Sequence, residues 1–167
     1  RAMKALGYSE QELFDGGLVR HGKSGGVYDT FRNRLMFPVI DVRGNVIGFS
    51  GRILDDGEPK YMNSPETLIF SKSHNLFALN LAKKSKCGYI ILAEGNIDVA
   101  SLHQAGFDNV CASMGTALTS EQLQLLSRYT KELVLCYDND DAGKVATQKA
   151  LTLLNSTDFQ VKVLELP

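Results

Sequence analysis

The second half of the chain alternates short, unbroken apolar runs with amphipathic segments. The apolar runs predict four β-strands, at residues 88–93, 109–112, 133–137 and 160–166. The amphipathic segments predict three helices, at residues 99–105, 119–126 and 141–154. Short apolar strands that alternate with helices are typical of a parallel sheet covered on both faces. We therefore predict an α/β domain with a mainly parallel sheet flanked by helices.

The first half of the chain has a different pattern, with more glycine and more turn-forming residues. Ser9 followed by Glu12 predicts a capping box that opens a short helix. Apolar runs at 35–40 and 46–49 predict a hairpin, and the proline in the first run predicts an edge strand or a bulge there. A further helix is predicted over residues 74–84. These elements indicate a small, mostly antiparallel α+β lobe.

The change of pattern predicts two domains, a basic N-terminal lobe over residues 1–86 and the α/β domain over residues 87–167. The lobe carries 13 Lys and Arg against 9 Asp and Glu, a net charge of +4, and the α/β domain carries 5 against 10, a net charge of −5. A basic half joined to an acidic half suits a polyanion held on one and a metal ion held on the other. Random variation in solvated surface charge explains the same numbers equally well.

The overall composition serves mainly to exclude classes of protein. The 44% hydrophobic and 22% charged residues are ordinary for a soluble globular protein. No stretch approaches the roughly 20 apolar residues of a membrane span, and no leader peptide opens the chain. Cys87, Cys111 and Cys136 have neither a zinc spacing nor a disulfide framework, which predicts buried free thiols in a reducing cytoplasm. We expect a cytoplasmic protein without a membrane partner, and the opening residues resemble the interior of a longer chain.

Acidic side chains follow two of the predicted parallel strands, at the point where each strand ends. Glu94 and Asp98 come after the first strand, and Asp138 and Asp140 come after the third. Ligands bind beyond the carboxyl ends of such strands, so both pairs are expected on one edge of the sheet. Either pair alone is explained as well by helix capping. Two pairs on one edge favour a divalent ion, because clustered carboxylates repel one another without a cation. Oxygen ligands without histidine or thiolate point to Mg²⁺ or Mn²⁺, and no zinc is expected.

Two acidic motifs, Glu94-Gly95-x-x-Asp98 and Asp138-x-Asp140-x-Ala142-Gly143, resemble those of the toprim domain. Toprim domains occur in bacterial primases, type IA and II topoisomerases, some nucleases and RecR-type recombination proteins. Longer strings narrow the resemblance to DnaG-type bacterial primases, and these strings are FRNRLMFPV at 31–39, IGFSGR at 47–52, PKYMNSPET at 59–67 and IFSK at 69–72. The resemblance covers nearly the whole chain.

The resemblance implies synthesis of short RNA primers on single-stranded DNA during DNA replication, by metal-dependent nucleotidyl transfer. It implies Mg²⁺ or Mn²⁺ as cofactor, single-stranded DNA template and nucleoside triphosphates (NTPs) as partners, and a replicative helicase that binds through a domain absent here. The residues implied as catalytic and metal-binding are Glu94, Asp98, Asp138 and Asp140. The residues implied as template- or nucleotide-binding are Arg34, Arg52, Lys60, Tyr61, Asn63 and Lys72.

The sequence departs from the family's usual residues at Asn96-Ile97 and at Asn139-Asp140-Asp141, although no carboxylate of the motifs is lost. Asp141 stands where the family usually has a basic residue. A further acidic group of the family lies downstream of Pro167, so the toprim domain is expected to be truncated and the isolated fragment weakly active or inactive.

Two other functions remain open at this point. One is a toprim-type nuclease or topoisomerase fragment, and the other is a non-catalytic, RecR-like DNA-binding module. Residues 17–24 also match the Walker A phosphate-binding pattern. A helix is predicted before that segment and Gly25-Gly26 follows it, whereas a P-loop needs a strand before and a helix after. No P-loop is therefore expected.

Overall fold

The structure is a computed structural model that describes residues 2–23, 25–115 and 117–165. It divides into two compact units. The first comprises Arg1–Val39 and Val46–Ser71, and the second comprises Ile40–Asn45 and Lys72–Pro167. Residues 72–86 therefore group with the second unit, and the domain boundary at residue 86 stays a prediction.

The described residues form short helices and strands in the first unit and longer helices in the second. The α-helices are α1 (Ala2–Ala5), α2 (Glu10–Asp15), α3 (Leu79–Ala82), α4 (Asn96–Gln104), α5 (Ser120–Leu126) and α6 (Asp141–Leu154). A 3-10 helix covers Lys72–His74. The strands are β1 (Val19–His21), β2 (Val27–Asp29), β3 (Arg34–Ile40), β4 (Val46–Ile53), β5 (Tyr61–Asn63), β6 (Tyr89–Ala93), β7 (Val110–Ala112), β8 (Glu132–Cys136) and β9 (Gln160–Val163).

The first unit contains the predicted α+β elements. The capping box of α2 is confirmed, because the Ser9 hydroxyl accepts from the Glu12 N–H and the Glu12 carboxylate accepts from the Ser9 N–H. A three-stranded sheet has the order β3-β4-β5, so the proline-containing strand β3 lies at the edge, which is one of the two alternatives that the sequence predicted. Strand β1 lies within the Walker-like segment and pairs in the antiparallel direction with β2, which follows the segment. Residues 19–21 of that segment form a strand, which agrees with the expectation that it is not a P-loop. Ser24, the last residue of the segment, lies outside the described residues.

The helix predicted over residues 74–84 is wrong for most of its length. Helix α3 covers only Leu79–Ala82, and it follows Ala78, whose positive φ of 62° is not helical. Just before it, the main chain of Phe77 exchanges hydrogen bonds of 2.9 and 3.1 Å with that of Ala112. At Phe77 this pairing with Ala112 takes the place of helical hydrogen bonds. A pattern of apolar residues along the chain does not reveal such a long-range contact.

The second unit is the predicted α/β domain. Its four strands lie in the order β7-β6-β8-β9 and are all parallel. Helix α6 has the predicted bounds, and α4 begins at Asn96, three residues before the predicted start. Strand β9 ends at Val163, and Leu166, the last residue of the predicted strand, lies outside the described residues.

The parallel sheet is covered on both faces, as its apolar strands predicted. Ile90 and Leu92 of β6 belong to a core cluster with buried side chains of α3, α5 and α6. Ile91 and Ala93, which point to the opposite face, pack with Val99 of α4. Among the described residues, no helix is long and apolar enough to span a membrane.

Candidate active site

The acidic residues predicted from the sequence lie at the carboxyl ends of β6 and β8. These two strands are adjacent and parallel, and their last residues, Ala93 and Cys136, are paired in register. Glu94 follows the first strand directly, and Asp138 follows the second after one intervening residue. The register therefore brings both residues to one edge of the sheet, which we call the acidic edge.

A hydrogen bond joins the two loops of the acidic edge. The Glu94 carboxylate accepts from the main-chain N–H of Asp138 at 3.1 Å. Glu94 is half-buried, whereas the Asp138 side chain is exposed. Glu94 thus fixes the main chain that carries Asp138, and the Asp138 side chain is left accessible to solvent and to ligands.

Asp98 and Asp140 each use one carboxylate oxygen to satisfy main-chain N–H groups of helices. Oδ2 of Asp98 accepts from the Gly95 N–H at 2.8 Å, at the start of α4. Oδ1 of Asp140, the N-cap of α6, accepts from the Gly143 N–H at 2.7 Å. The capping role considered for these aspartates is therefore present. It does not exclude a second role, since a carboxylate has two oxygens that accept hydrogen bonds or bind metal.

Gly143 is a positioning residue to which the sequence analysis gave no role. A Cβ atom at this position would overlap the Asp138 carbonyl oxygen and lie 3.0 Å from the Asp138 nitrogen. Only a residue without a side chain lets the first turn of α6 approach the Asp138 main chain this closely. The glycine thereby helps to fix where the Asp138 carboxylate lies.

The negative charge of the acidic edge contributes to raised pKa values of two neighbouring side chains. The pKa of the half-buried Cys136 thiol is raised by burial first, and then by the nearby carboxylates of Asp98 and Asp138. Burial, with smaller contributions from Cys111 and Glu94, raises the pKa of Tyr137 to about 12. Cys136 is thus not the fully buried thiol that was expected, and Cys87 is exposed, whereas Cys111 is buried.

A cavity of about 330 Å³ opens beside Glu94 in the second unit. Tyr137 and Lys149 also line it. Lys149 lies on α6, where the sequence gave no reason to separate it from other solvated lysines. Lys149 thus adds a cation to a cavity that Glu94 also lines, which suits a ligand that carries both phosphate and metal charge.

The four carboxylates suit a divalent ion in chemistry, but they do not form a closed cage. In the part of the chain that the structure describes, no three His, Cys, Asp or Glu side chains are grouped to hold a metal ion. Mg²⁺ usually keeps several waters and relies on one or two carboxylates together with substrate phosphates. The oxygen-only donor set at Glu94 and Asp138 fits an ion that is bound in this shared way.

Five of the six predicted nucleic-acid-binding residues lie in the first unit, on β3, β4 and β5 or directly before β5. Arg52 and Tyr61 are paired across these strands, with the guanidinium carbon 6.0 Å from the ring centroid. The Lys60 ammonium nitrogen also lies 6.0 Å from that centroid. Tyr61 is 45% exposed, so its ring is available for stacking. We call Arg52, Lys60 and Tyr61 the basic patch.

The remaining predicted residues, like Arg52, are half-buried. Arg34 donates from Nη1 to the main-chain oxygens of Gly51, at 3.1 Å, and Lys60, at 3.4 Å, so it supports the basic patch from within the first unit. Asn63 is half-buried and pairs with Ser50. Lys72 belongs to the second unit, in the 3-10 helix. The structure therefore brings together the acidic residues in one unit and most of the basic set in the other.

Comparison with known proteins agrees with both units. The family model described as DNA primase catalytic core, N-terminal domain, matches residues 1–83, and a toprim-like model matches residues 91–167. A DNA primase from Clostridium acetobutylicum is 51% identical over 99% of this chain. The chain spans 28% of the length of that relative.

Solved structures agree as well. A DNA primase domain from Pseudomonas aeruginosa superposes with a TM-score of 0.91 at 37% identity, covering 99% of this chain and 54% of that one. A DnaG primase catalytic domain bound to single-stranded DNA superposes with a TM-score of 0.88 at 39% identity, covering 100% and 56%.

The chain combines a parallel sheet that has an acidic edge with a basic antiparallel unit. This combination defines a catalytic core of the toprim class. Within that class, the chain belongs to the family of DnaG-type DNA primases and corresponds to part of their catalytic core. Membership in a toprim primase family implies the use of a divalent metal ion.

We predict that Gly143→Ala displaces the main chain of Asp138 and lowers the free energy of unfolding. Helix propensity alone predicts that alanine stabilises a helix by about 1 kcal/mol relative to glycine. The overlap with the Asp138 carbonyl outweighs this gain, because main-chain atoms cannot rotate away, and we expect a net loss of about 1–3 kcal/mol. Denaturant unfolding and the amide chemical shifts of residues 136–141 measure the two effects.

Gly26→Ala is the matched control for this prediction. A Cβ atom at Gly26 meets no atom within 4 Å, and its φ is not in the left-handed region. The control is expected to leave both measurements near wild type. A stabilised Gly143→Ala variant with unchanged amide shifts at Asp138 contradicts the positioning role.

Proposed function

We propose that the protein carrying this chain is a DNA primase that synthesises short RNA primers on single-stranded DNA during replication. The observation that carries the proposal is the hydrogen bond that joins Glu94 to the main chain of Asp138 on the acidic edge. It joins two residues of the toprim motifs, and the first of them, Glu94, lines a cavity that is also lined by a lysine. This arrangement supports nucleotidyl transfer, in which a 3′-hydroxyl attacks the α-phosphate of an incoming NTP and pyrophosphate leaves.

In the proposed reaction the acidic edge holds the reacting phosphates through shared divalent metal. Glu94 and Asp138 are the proposed ligands, together with the oxygens of Asp98 and Asp140 that helix capping does not use. The ion proposed is Mg²⁺ or Mn²⁺, which prefers these oxygen ligands. When bound, such an ion lowers the pKa of the attacking hydroxyl and neutralises phosphate charge. Lys149 is proposed to contact the triphosphate from α6.

The basic residues are proposed to hold the polyanionic substrates. Arg52 and Lys60 suit the phosphates of the template strand, because lysine and arginine supply most of the affinity for a nucleic-acid backbone. The exposed ring of Tyr61 suits stacking against a base. Arg34, Asn63 and Lys72 complete the proposed set. NTPs, single-stranded DNA and, through another part of the protein, a replicative helicase are the proposed partners, in the cytoplasm.

We predict that Asp138→Asn and Glu94→Gln each abolish primer synthesis by the full-length protein while the fold is kept. Both substitutions preserve shape and remove one negative charge, and in Glu94→Gln the new amide oxygen still accepts from the Asp138 N–H. Loss of a metal ligand removes several kcal/mol of transition-state stabilisation, so rates fall by a factor on the order of a hundred or more. Incorporation of labelled NTPs on single-stranded DNA measures this.

Asp158→Asn is the matched control for the acidic edge. Asp158 is exposed and comes before β9, at the opposite edge of the sheet, so primer synthesis is expected to stay near wild type. The same assay separates the candidate functions, because a primase yields primers, a toprim nuclease or topoisomerase yields cut strands, and a RecR-like module yields binding alone. Primer synthesis at the wild-type rate by Asp138→Asn contradicts the assignment of the acidic edge.

We predict that Lys60→Ala weakens binding to single-stranded DNA and reduces its dependence on salt. Each phosphate contact to a single strand releases condensed counterions and contributes about −0.7 to the slope of log K against log salt concentration. The variant is expected to lose roughly that amount of slope. Fluorescence anisotropy of a labelled oligonucleotide at several salt concentrations measures it. Lys84→Ala is the control, because Lys84 is also exposed but lies in the second unit. An unchanged salt slope and an unchanged affinity in Lys60→Ala rule out a phosphate contact at Lys60.

A further inference from the structure

A fully buried amide side chain near the start of α5 makes contacts that capping alone does not require. Gln122 has 0% exposure. Its Nε2 donates to the main-chain oxygens of Lys72 and Asn75, each at 2.9 Å. Its Oε1 accepts from the Thr119 N–H at 3.1 Å. Both N–H groups of the amide are therefore used on main-chain carbonyls of a segment far away in sequence.

Thr119, the N-cap of α5, adds a third contact to the same segment. Its hydroxyl accepts from the Gln122 N–H at 3.2 Å and donates to the main-chain oxygen of Ser73 at 2.6 Å. The carbonyls of Lys72, Ser73 and Asn75 are thus all held by two side chains of one capping box. We call Thr119 and Gln122 the amide clamp.

The clamped segment lies on the same edge of the sheet as Glu94. Phe77 pairs with Ala112, the last residue of β7, in the antiparallel direction. The residues before Phe77 therefore extend beyond the carboxyl end of β7. Since Ala112 is in register with Ala93, the residue before Glu94, this is the acidic edge.

We infer that Thr119 and Gln122 are positioning residues for Lys72, and that they hold its main chain at the acidic edge where the triphosphate of an NTP binds. This inference rests on the proposed function and deepens it. A lysine side chain has many rotamers, so a fixed main chain is what limits where its ammonium group reaches. A displacement of about 1 Å at such a group lowers rates by a factor on the order of a hundred.

Gln122→Glu tests the clamp with almost no change of shape. A carboxylate has no N–H to donate, so it removes the hydrogen bonds that the carbonyls of Lys72 and Asn75 accept from Gln122, and it repels these carbonyls. We expect faster amide hydrogen exchange over residues 72–77 and a fall in kcat/KM for NTPs of roughly tenfold to a hundredfold, mainly through KM. Gln124→Glu is the matched control, because Gln124 is exposed on the same helix and undergoes the same change of charge.

A second pair of variants covers the case in which Gln122→Glu does not fold. Thr119→Val keeps the shape of threonine but cannot donate to Ser73, whereas Thr119→Ser keeps the hydroxyl. Valine is expected to reproduce the faster exchange and the higher KM, and serine to restore both. In the Lys72→Ala background, either clamp variant is expected to cause little further loss, because two residues that act through one group are not additive.

The outcomes separate the inference from the proposed function. Unchanged exchange over residues 72–77 in Gln122→Glu or Thr119→Val overturns the clamp. Faster exchange with unchanged KM, or with losses that add fully to that of Lys72→Ala, overturns the positioning role. A wild-type protein that makes no primers overturns the proposed function itself, and with it the role given to Lys72.

Discussion

The parallel pairing of β6 with β8 is the constraint on which the candidate active site depends. Because Ala93 and Cys136 are in register, the residues that follow them leave the sheet side by side. The Glu94 carboxylate then bonds to the Asp138 main chain, and Gly143 lets α6 begin directly against that main chain. A shift in this register would separate the carboxylates of Glu94 and Asp138, even if the rest of the domain kept its fold.

Capping and ligand binding are compatible at this edge. Asp98 and Asp140 each satisfy a helix N–H group, which fixes the orientation of the carboxylate and uses one of its acceptors. A carboxylate that is held in this way loses less rotational freedom when it binds an ion. The helices that follow β6 and β8 therefore stabilise the fold and orient two of the proposed ligands through the same hydrogen bonds.

Local patterns predicted much of the fold, because the strands of the second unit are short, unbroken apolar runs and because α2 and α5 begin with capping boxes. The acidic edge was predictable because parallel strands bring their carboxyl ends together. The contacts that could not be predicted from the sequence are long-range. The pairing of Phe77 with Ala112 replaced a predicted helix, and Gln122 bonds to residues about 50 positions earlier in the chain. Neither leaves a periodic signal in the sequence.

The central claim is that the acidic edge binds a divalent metal ion, and a titration with Mn²⁺ tests it most directly. Paramagnetic broadening of amide signals identifies the residues nearest to the ion. Because the carboxylates form no closed cage, we expect weak binding, on the order of millimolar, with broadening that begins at residues 94–98 and 138–141. Broadening centred elsewhere, for example on the acidic loop at residues 55–58, or binding at micromolar concentrations, would contradict the account.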